Sequence, residues 1–386
     1  MSLIPAHLSL AFTLFSLTAA VNVQAPLYAA YAARDGYGVL ATTLAFSCYV
    51  LGVLPVLLTL GGLSDRIGRK PVMLLALALS ASATVLMLLS PHIPSLMLAR
   101  FLLGLGTALM SATATAYMIE LLGQADSSRG ANWVTASSSI GFGMGPAITS
   151  LCLLWQDSLR PLSFYAVLAA LSACALLLWR LPATDLPGSG ARAPMLRLPY
   201  FNRAVCWYGA AIFLCWASTG LVLSILPGVL AKQSMSQYAG LCSLLAISCG
   251  LLFQPMARKL PPQRATLLGL MILLPSVALL AWGALHGVLA AILIASFCAS
   301  SACYGFVYLG GLAGVAHSAG AEKARASAAY FLLAYLGLSL PVMLTGLIAD
   351  HFGIASAFYV FGLLLLGGTL ALYASRQRMA AAPSQS

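Results

Sequence analysis

The stretch Gly61-Gly-Leu-Ser-Asp65-Arg66-Ile-Gly68-Arg69-Lys70 sets one carboxylate among three cations on a short turn bearing three glycines. Such a cluster can form an ion-pair network when neighbouring helix ends close and lose it when they part, and the glycines let the turn approach those ends tightly. Glu120 is a candidate partner for Arg66 or Arg69; the alternative is a solvated carboxylate at a helix end. A loop that only sets membrane orientation would need the cations but not the interposed acid and glycines. A second group is Arg100-Phe-Leu-Leu-Gly104-Leu-Gly106-Thr107, where a guanidinium lies inside an apolar run. A charge there faces a protein interior or an aqueous cavity, or else snorkels to the interface. Thr107, Ser111 and Thr115 recur with Arg100 at helical spacing and share its face. A third group, Gly141-Phe-Gly-Met-Gly145-Pro146, offers small residues for close helix packing and a bend. No His/Cys metal constellation, phosphate-binding loop or Ser/His/Asp arrangement stands out. No catalytic residue, metal or cofactor is therefore expected.

Rigid elements must hold these groups, and composition says which kind. Of 386 residues, 61% are apolar and 7% charged, with mean hydropathy +0.96. A soluble domain carries about 25% charged residues, so 19 Lys+Arg and 8 Asp+Glu are too few to cover a water-exposed surface. A disordered chain would show the opposite balance. The chain reads as an all-α membrane protein. At about 20 apolar residues per span, its apolar runs predict twelve transmembrane helices, near 8–33, 38–62, 71–90, 95–122, 129–155, 161–181, 204–231, 237–257, 264–285, 287–314, 325–349 and 353–375. No Lys or Arg precedes the first run, which also exceeds a signal-peptide core, so it is read as a span.

The net charge of +11 is assigned to loop topology and not to nucleic acid. With both termini in the cytoplasm, 15 of the 19 Lys and Arg fall on that side, leaving Arg34, Arg100, Arg160 and Lys232 on the other. The nine Cys all lie in apolar stretches and read as small buried hydrophobes. The longest hydrophilic break, 182–203, is rich in Gly, Pro and Ser and reads as a cytoplasmic linker between six-helix bundles 1–181 and 204–386. The halves echo each other, with Pro26 matched by Pro227 and Pro146 by Pro341. A duplicated membrane unit with a pathway between its copies is transporter architecture.

The turn at 61–70 resembles the major facilitator superfamily signature G-x-L-a-D-R-x-G-R-K at nearly every position. Arg100–Gly106 resembles that superfamily's R-F-x-x-G-x-G motif, and Gly141–Pro146 resembles the pattern of its exporters. The resemblance implies two six-helix bundles related by a pseudo-two-fold axis that rock about a shared cleft. It implies a gate latch at Gly61, Asp65, Arg66, Gly68, Arg69 and Lys70, with Glu120 as partner, and a part in proton coupling for Arg100. Gly141, Gly145 and Pro146, with Pro341 in the second half, become the bend points of an antiporter. The chain departs from the pattern at Thr149, where exporters continue with Gly. Its second half keeps only a trace of the turn, Gln254-Pro-Met-Ala-Arg258-Lys259, without the acid. The expectation is a monomeric secondary transporter in a bacterial inner membrane, exporting a small organic solute against protons. Import of a sugar, organic acid or other metabolite is the alternative, and a membrane-embedded sensor or enzyme is a more distant one.

Asn22, Thr107, Ser111, Thr219, Ser301, Tyr304 and Tyr308 are the candidates for a substrate cavity. Thr18 and Asn22 share a face of the first helix, with Gln24 on another, and a mid-membrane amide needs a partner or water. Phe297, Ser301, Tyr304 and Tyr308 stripe one helix, a pattern that packing or an interfacial belt explains as readily. Every Asp and Glu falls at a predicted helix end or in a loop, Asp35 and Asp350 included. Exporters of cationic drugs commonly carry a carboxylate within a span, so neutral, zwitterionic or anionic cargo is expected here. The expected partners are that solute, protons and the lipid bilayer.

Overall fold

The computed structural model describes residues 5–123, 127–181 and 198–380. Among the described residues the regular structure is helical, with no strand. The first span is interrupted: α1 (Ala6–Asn22), a 3-10 turn (Ala25–Leu27), then α2 (Tyr28–Asp35). Pro26 has no N–H to offer the carbonyl of Asn22, so the α-ladder cannot run through it. There follow α3 (Val39–Thr59), α4 (Leu63–Ile67), α5 (Arg69–Leu89), α6 (Ile93–Leu122), α7 (Ser127–Leu153) and α8 (Leu162–Arg180). The remainder comprises α9 (Arg203–Ser224), α10 (Leu226–Lys232), α11 (Ala239–Ser248), α12 (Gln254–Ala257), α13 (Pro262–His286), α14 (Leu289–Ser300), a π-helical segment (Ser301–Val307), α15 (Tyr308–Ser318) and α16 (Lys323–Ala380).

Ten described stretches are long and apolar enough to cross a membrane. The last of them, Gly320–Arg376, is two helices joined at Gly353, whose φ of 83° breaks the helix. With the 27-residue α7, which carries more Ser and Gly, the twelve long helices expected from the sequence are present. The linker expected at 182–203 lies mostly outside the described residues.

The chain separates into two compact units, Met1–Asp35 with Cys48–Arg197, and Gly36–Ser47 with Leu198–Ser386. In the first, α1 packs against α6, α7 and α8, and α5 against α6 and α8. In the second, α9 packs against α15 and α16, and α13 against α14. The most apolar window of Ala6–Asp35 is 72% buried and that of Arg203–Lys232 83%, against 33% for Leu162–Arg180. The most buried stretches are thus α1–α2 in the first unit and α9–α10 in the second. Leu51, Trp155, Leu176, Trp179, Leu252, Phe352 and Leu363 are large, apolar and exposed. An exterior of that kind suits a lipid environment.

Candidate functional site

The break between α1 and α2 is where the interior of the first unit becomes polar. Backbone carbonyls released from a helix must find donors when they are buried in a membrane protein. Arg100 Nη1 donates to Val21 O at 2.7 Å, and Thr149 Oγ1 donates to Val23 O at 2.8 Å. Thr149 also shares a 2.7 Å hydrogen bond with Ser163 Oγ, and Asn22 Nδ2 donates to Phe142 O at 3.1 Å. Donors from α6 and α7 thus fasten the break, with α8 tied in through Ser163. Thr149, the departure from the exporter pattern, is one of the fasteners. Arg100 is 1% exposed, lies 3.4 Å from Asn22 Oδ1 and sits over the Tyr49 ring at 4.8 Å from its centroid. It faces the protein interior and does not snorkel.

Glycines bring these helices close enough to bond. A Cβ on Gly104, one turn beyond Arg100, would collide with the Tyr49 carbonyl on α3. On α7, a Cβ at Gly141 would lie 2.5 Å from Phe15 O, and one at Gly145 would collide with Ala19 O. Pro146 lies inside α7 just beyond this contact with α1. Among the described residues, two further polar groups have no hydrogen-bond partner: Gln24 Oε1 and Nε2, and the Tyr28 hydroxyl, all fully buried. An unsatisfied buried group costs about 1–3 kcal/mol. Of the other cavity candidates here, Thr107 is buried with its hydroxyl bonded to Leu103 O of its own helix at 2.6 Å, and Ser111 is half-buried.

At the 61–70 turn, Gly68 connects α4 to α5 with φ 95°, a left-handed value that a side chain would strain. Arg69 is the centre of the charge cluster. Its Nη1 bonds to Asp65 and, at 2.6 Å, to Ser64 Oγ, while Nη2 and Nε reach Glu120 Oε1 at 2.8 and 3.2 Å. Gly61 is half-buried, Lys70 Nζ lies 3.5 Å from Trp179 O, and Arg66 is exposed. Glu120 therefore pairs with Arg69, not Arg66. At the other end of α6, Asp35 caps the helix through Ile93 N at 2.7 Å and meets His92 Nδ1 at 2.7 Å.

The interior of the second unit is aromatic. Trp216 packs edge-on against Tyr335 at 5.0 Å and lies 6.4 Å from Tyr304, which stands in the π-helical segment. π-helical turns occur often at functional sites. Tyr330 donates to the carbonyls of Val307 and Tyr308 at 3.3 Å, and Gln254 Nε2 to Tyr304 O at the same distance. The Ser301 hydroxyl bonds to Cys298 O at 2.7 Å, Thr219 is buried, and Tyr304 and Tyr308 are half-buried. Gly337 presses on Phe213, 2.6 Å from its Cα if given a Cβ, and Pro341 accepts from Thr345 Oγ1 at 2.7 Å. Asp350 takes the amides of Val39 and Leu40 at 2.7 and 2.9 Å, capping the start of α3, whose first residues belong to this unit.

The family model of the Major Facilitator Superfamily matches residues 10–340. The chain is 34% identical over 119 residues to the chloramphenicol resistance protein CraA of Acinetobacter baumannii, a match covering 30% of this chain and 29% of that one. It spans about a quarter of the length of the curated relatives it matches. Its fold superimposes on a point mutant of the nucleoside transporter NupG with TM-score 0.80 at 14% identity, over 96% of this chain and 99% of that one. It superimposes on the human organic anion transporter MFSD10 with TM-score 0.64 at 17% identity, over 95% and 99%.

Proposed function

Because the chain belongs to the Major Facilitator Superfamily, it is a membrane transporter of small solutes and not an enzyme, and we propose that it exports a small organic solute in exchange for protons by alternating access. The observation that carries this reading is the fastening of the α1–α2 break. Arg100 on α6 and Asn22 and Thr149 between α1 and α7 tie two helices, α6 and α7, to one interrupted backbone. A change at any of these contacts is felt by the others, as coupling of two fluxes requires. The exporter-type glycines support the direction, since Gly141 and Gly145 seat α7 directly on α1. The 34% identity to part of a chloramphenicol resistance protein agrees with it.

In this reading the 61–70 turn and both termini face the cytoplasm of a bacterial cell, bundles 1–181 and 204–386 are joined by 182–203, and the transporter works as a monomer. The excess of Lys and Arg on that side supports the orientation. The Asp65–Arg69–Glu120 cluster acts as the cytoplasmic latch. A membrane potential of 100 mV supplies about 2.3 kcal/mol per charge moved.

A compound screen in everted membrane vesicles tests the proposal, reading collapse of a preset proton gradient as each solute is added. Collapse with a subset of organic solutes, absent from vesicles lacking the protein, is the expected result. Solute uptake with proton entry in right-side-out proteoliposomes would replace export by import.

A further inference from the structure

In the second unit, one face of α13 carries charge at its start and a groove along the rest. Arg264 is exposed in the first turn, and Leu268, Met271, Pro275 and Leu279 follow on the same face at helical spacing. These four, with Ile272 and with Cys298 of α14, line a groove of about 410 Å³. Ser276 lines it too, but its hydroxyl is turned back to Ile272 O at 2.6 Å, so the groove presents apolar surface. From Leu268 to Leu279 it runs about 16 Å at ~1.5 Å per residue. That is about half of a bilayer's ~30 Å hydrocarbon core, the depth of one leaflet.

The end of α16 brings a second cation to the start of α13. Gln263 Nε2 donates to Arg376 O at 3.0 Å, and the Tyr373 hydroxyl donates to Leu267 O at 2.9 Å. The Arg376 guanidinium lies over the Tyr373 ring, 5.6 Å from its centroid. Lys259 is exposed in the turn that precedes α13. Among the described residues no carboxylate pairs with these three cations. The sequence holds no Asp or Glu between Asp185 and Glu322 or after Asp350, and Glu322 is engaged by Arg325 at 3.0 Å. Cations at the edge of a spanning helix, with no acid of their own, draw their counter-charge from anionic headgroups. We infer that this face of α13 binds one anionic phospholipid, with its phosphate at Arg264, Arg376 and Lys259 and one acyl chain laid in the groove. Charge alone would attract free phosphate as readily as a headgroup. The groove begins one turn beyond Arg264 on the same face, and it selects the molecule that brings both ends. Such a lipid occupies its site whichever solute is carried and in whichever direction.

The test is native mass spectrometry of the full chain, purified in detergent and titrated with dipalmitoyl phosphatidylglycerol, dipalmitoyl phosphatidylcholine or glycerol 3-phosphate. One phosphatidylglycerol should be held about twenty-fivefold more tightly than phosphatidylcholine, at about fivefold for each of two cations, with glycerol 3-phosphate not retained. Arg264→Gln combined with Arg376→Gln should erase that preference. Met271→Trp, which fills the groove from an exposed position, should weaken both lipids alike. Equal retention of the two lipids by the wild type overturns the inference, as does glycerol 3-phosphate held as tightly as phosphatidylglycerol. A preference that survives the double variant, or lipid binding unaltered by Met271→Trp, also overturns it. The wild-type comparisons decide the matter even if a variant does not fold.

Discussion

Phe15 on α1 receives Gly141 of α7, and Phe213 on α9 receives Gly337 of α16, so each unit seats a glycine against the backbone of a phenylalanine in its most buried stretch. The two Phe lie 198 residues apart and the two Gly 196. Around that shared contact the units diverge. Moving Arg100 forward by a similar interval reaches Phe297, which packs on Phe253 at 5.6 Å. One interior is built from a cation and hydrogen bonds to a broken backbone, the other from rings around Trp216 and a π-helical segment. Backbone contacts leave no room for change, whereas the side chains lining them are free to specialise. A duplicated unit can therefore keep its packing and divide its chemistry, with one half taking charge and the other taking apolar surface.

The largest effect should come from the charge. Arg100→Ala removes the donor to Val21 O and leaves that carbonyl buried, at about 1.5–3 kcal/mol for a hydrogen bond to a charged group. Flux in proteoliposomes is expected to fall about ten- to a hundredfold on the ~1.4 kcal/mol-per-decade scale. Arg100→Lys should not restore it, because an ammonium cannot reproduce the planar fork. Phe297→Leu, the matching change in the second unit, should cost far less. Comparable losses in both variants would erase the asymmetry.

Next in size are the glycines, where the units should behave alike. Gly145→Ala and Gly337→Ala each drive a methyl into a neighbouring helix's backbone, Ala19 on one side and Phe213 on the other. Overpacking of this kind costs about 1–3 kcal/mol. Both variants should melt lower and transport roughly tenfold less. A loss confined to one of them would show that the shared contact has been kept for packing in one half and for movement in the other.

The helices were legible in the sequence because an apolar run of twenty residues has few other readings, and the break at Pro26 follows from its missing N–H. Arg100 was legible for the same reason: a charge inside such a run is conspicuous. What stayed hidden depends on pairs brought together by the fold. Thr149 is visible as a departure from a pattern, but its acceptor, Val23 O, lies 126 residues away. Asp350 reads as an ordinary helix-end acid, and its partner Val39 is 311 residues distant. Gln24 and Tyr28 look like polar residues near a bend, and only the fold reveals that both are fully buried. Trp216 sits in an apolar run where any aromatic residue would pass unnoticed.

A smaller effect should separate the aromatic unit. Trp216→Leu keeps an apolar side chain but removes the ring edge facing Tyr335. Such ring pairs are worth about 0.5–1.5 kcal/mol, so KM for a cargo with a planar ring should rise about fivefold while a ring-free acid is unaffected. An equal rise for both would mean that the cluster packs the unit and does not read cargo.

The mildest prediction concerns the proposed latch, which joins Asp65 of α4, Arg69 of α5 and Glu120 of α6. Glu120 is 31% exposed at its side chain, and Asp65 continues to hold Arg69 when Glu120 is neutralised. Pairs this open to solvent contribute about 0.2–1 kcal/mol and fade with salt. Glu120→Gln is therefore expected to lower flux only about twofold at low ionic strength and less than that at about 0.5 M salt, with the melting temperature nearly constant. Arg69 reaches both acids at once, while Arg66 is exposed, so Arg69→Gln should exceed Glu120→Gln and Arg66→Gln should fall below it. If Arg66→Gln proved the most damaging of the three, the cluster would have to rearrange around a different cation during transport, and the charge chemistry of the first unit would extend from its core to the turn.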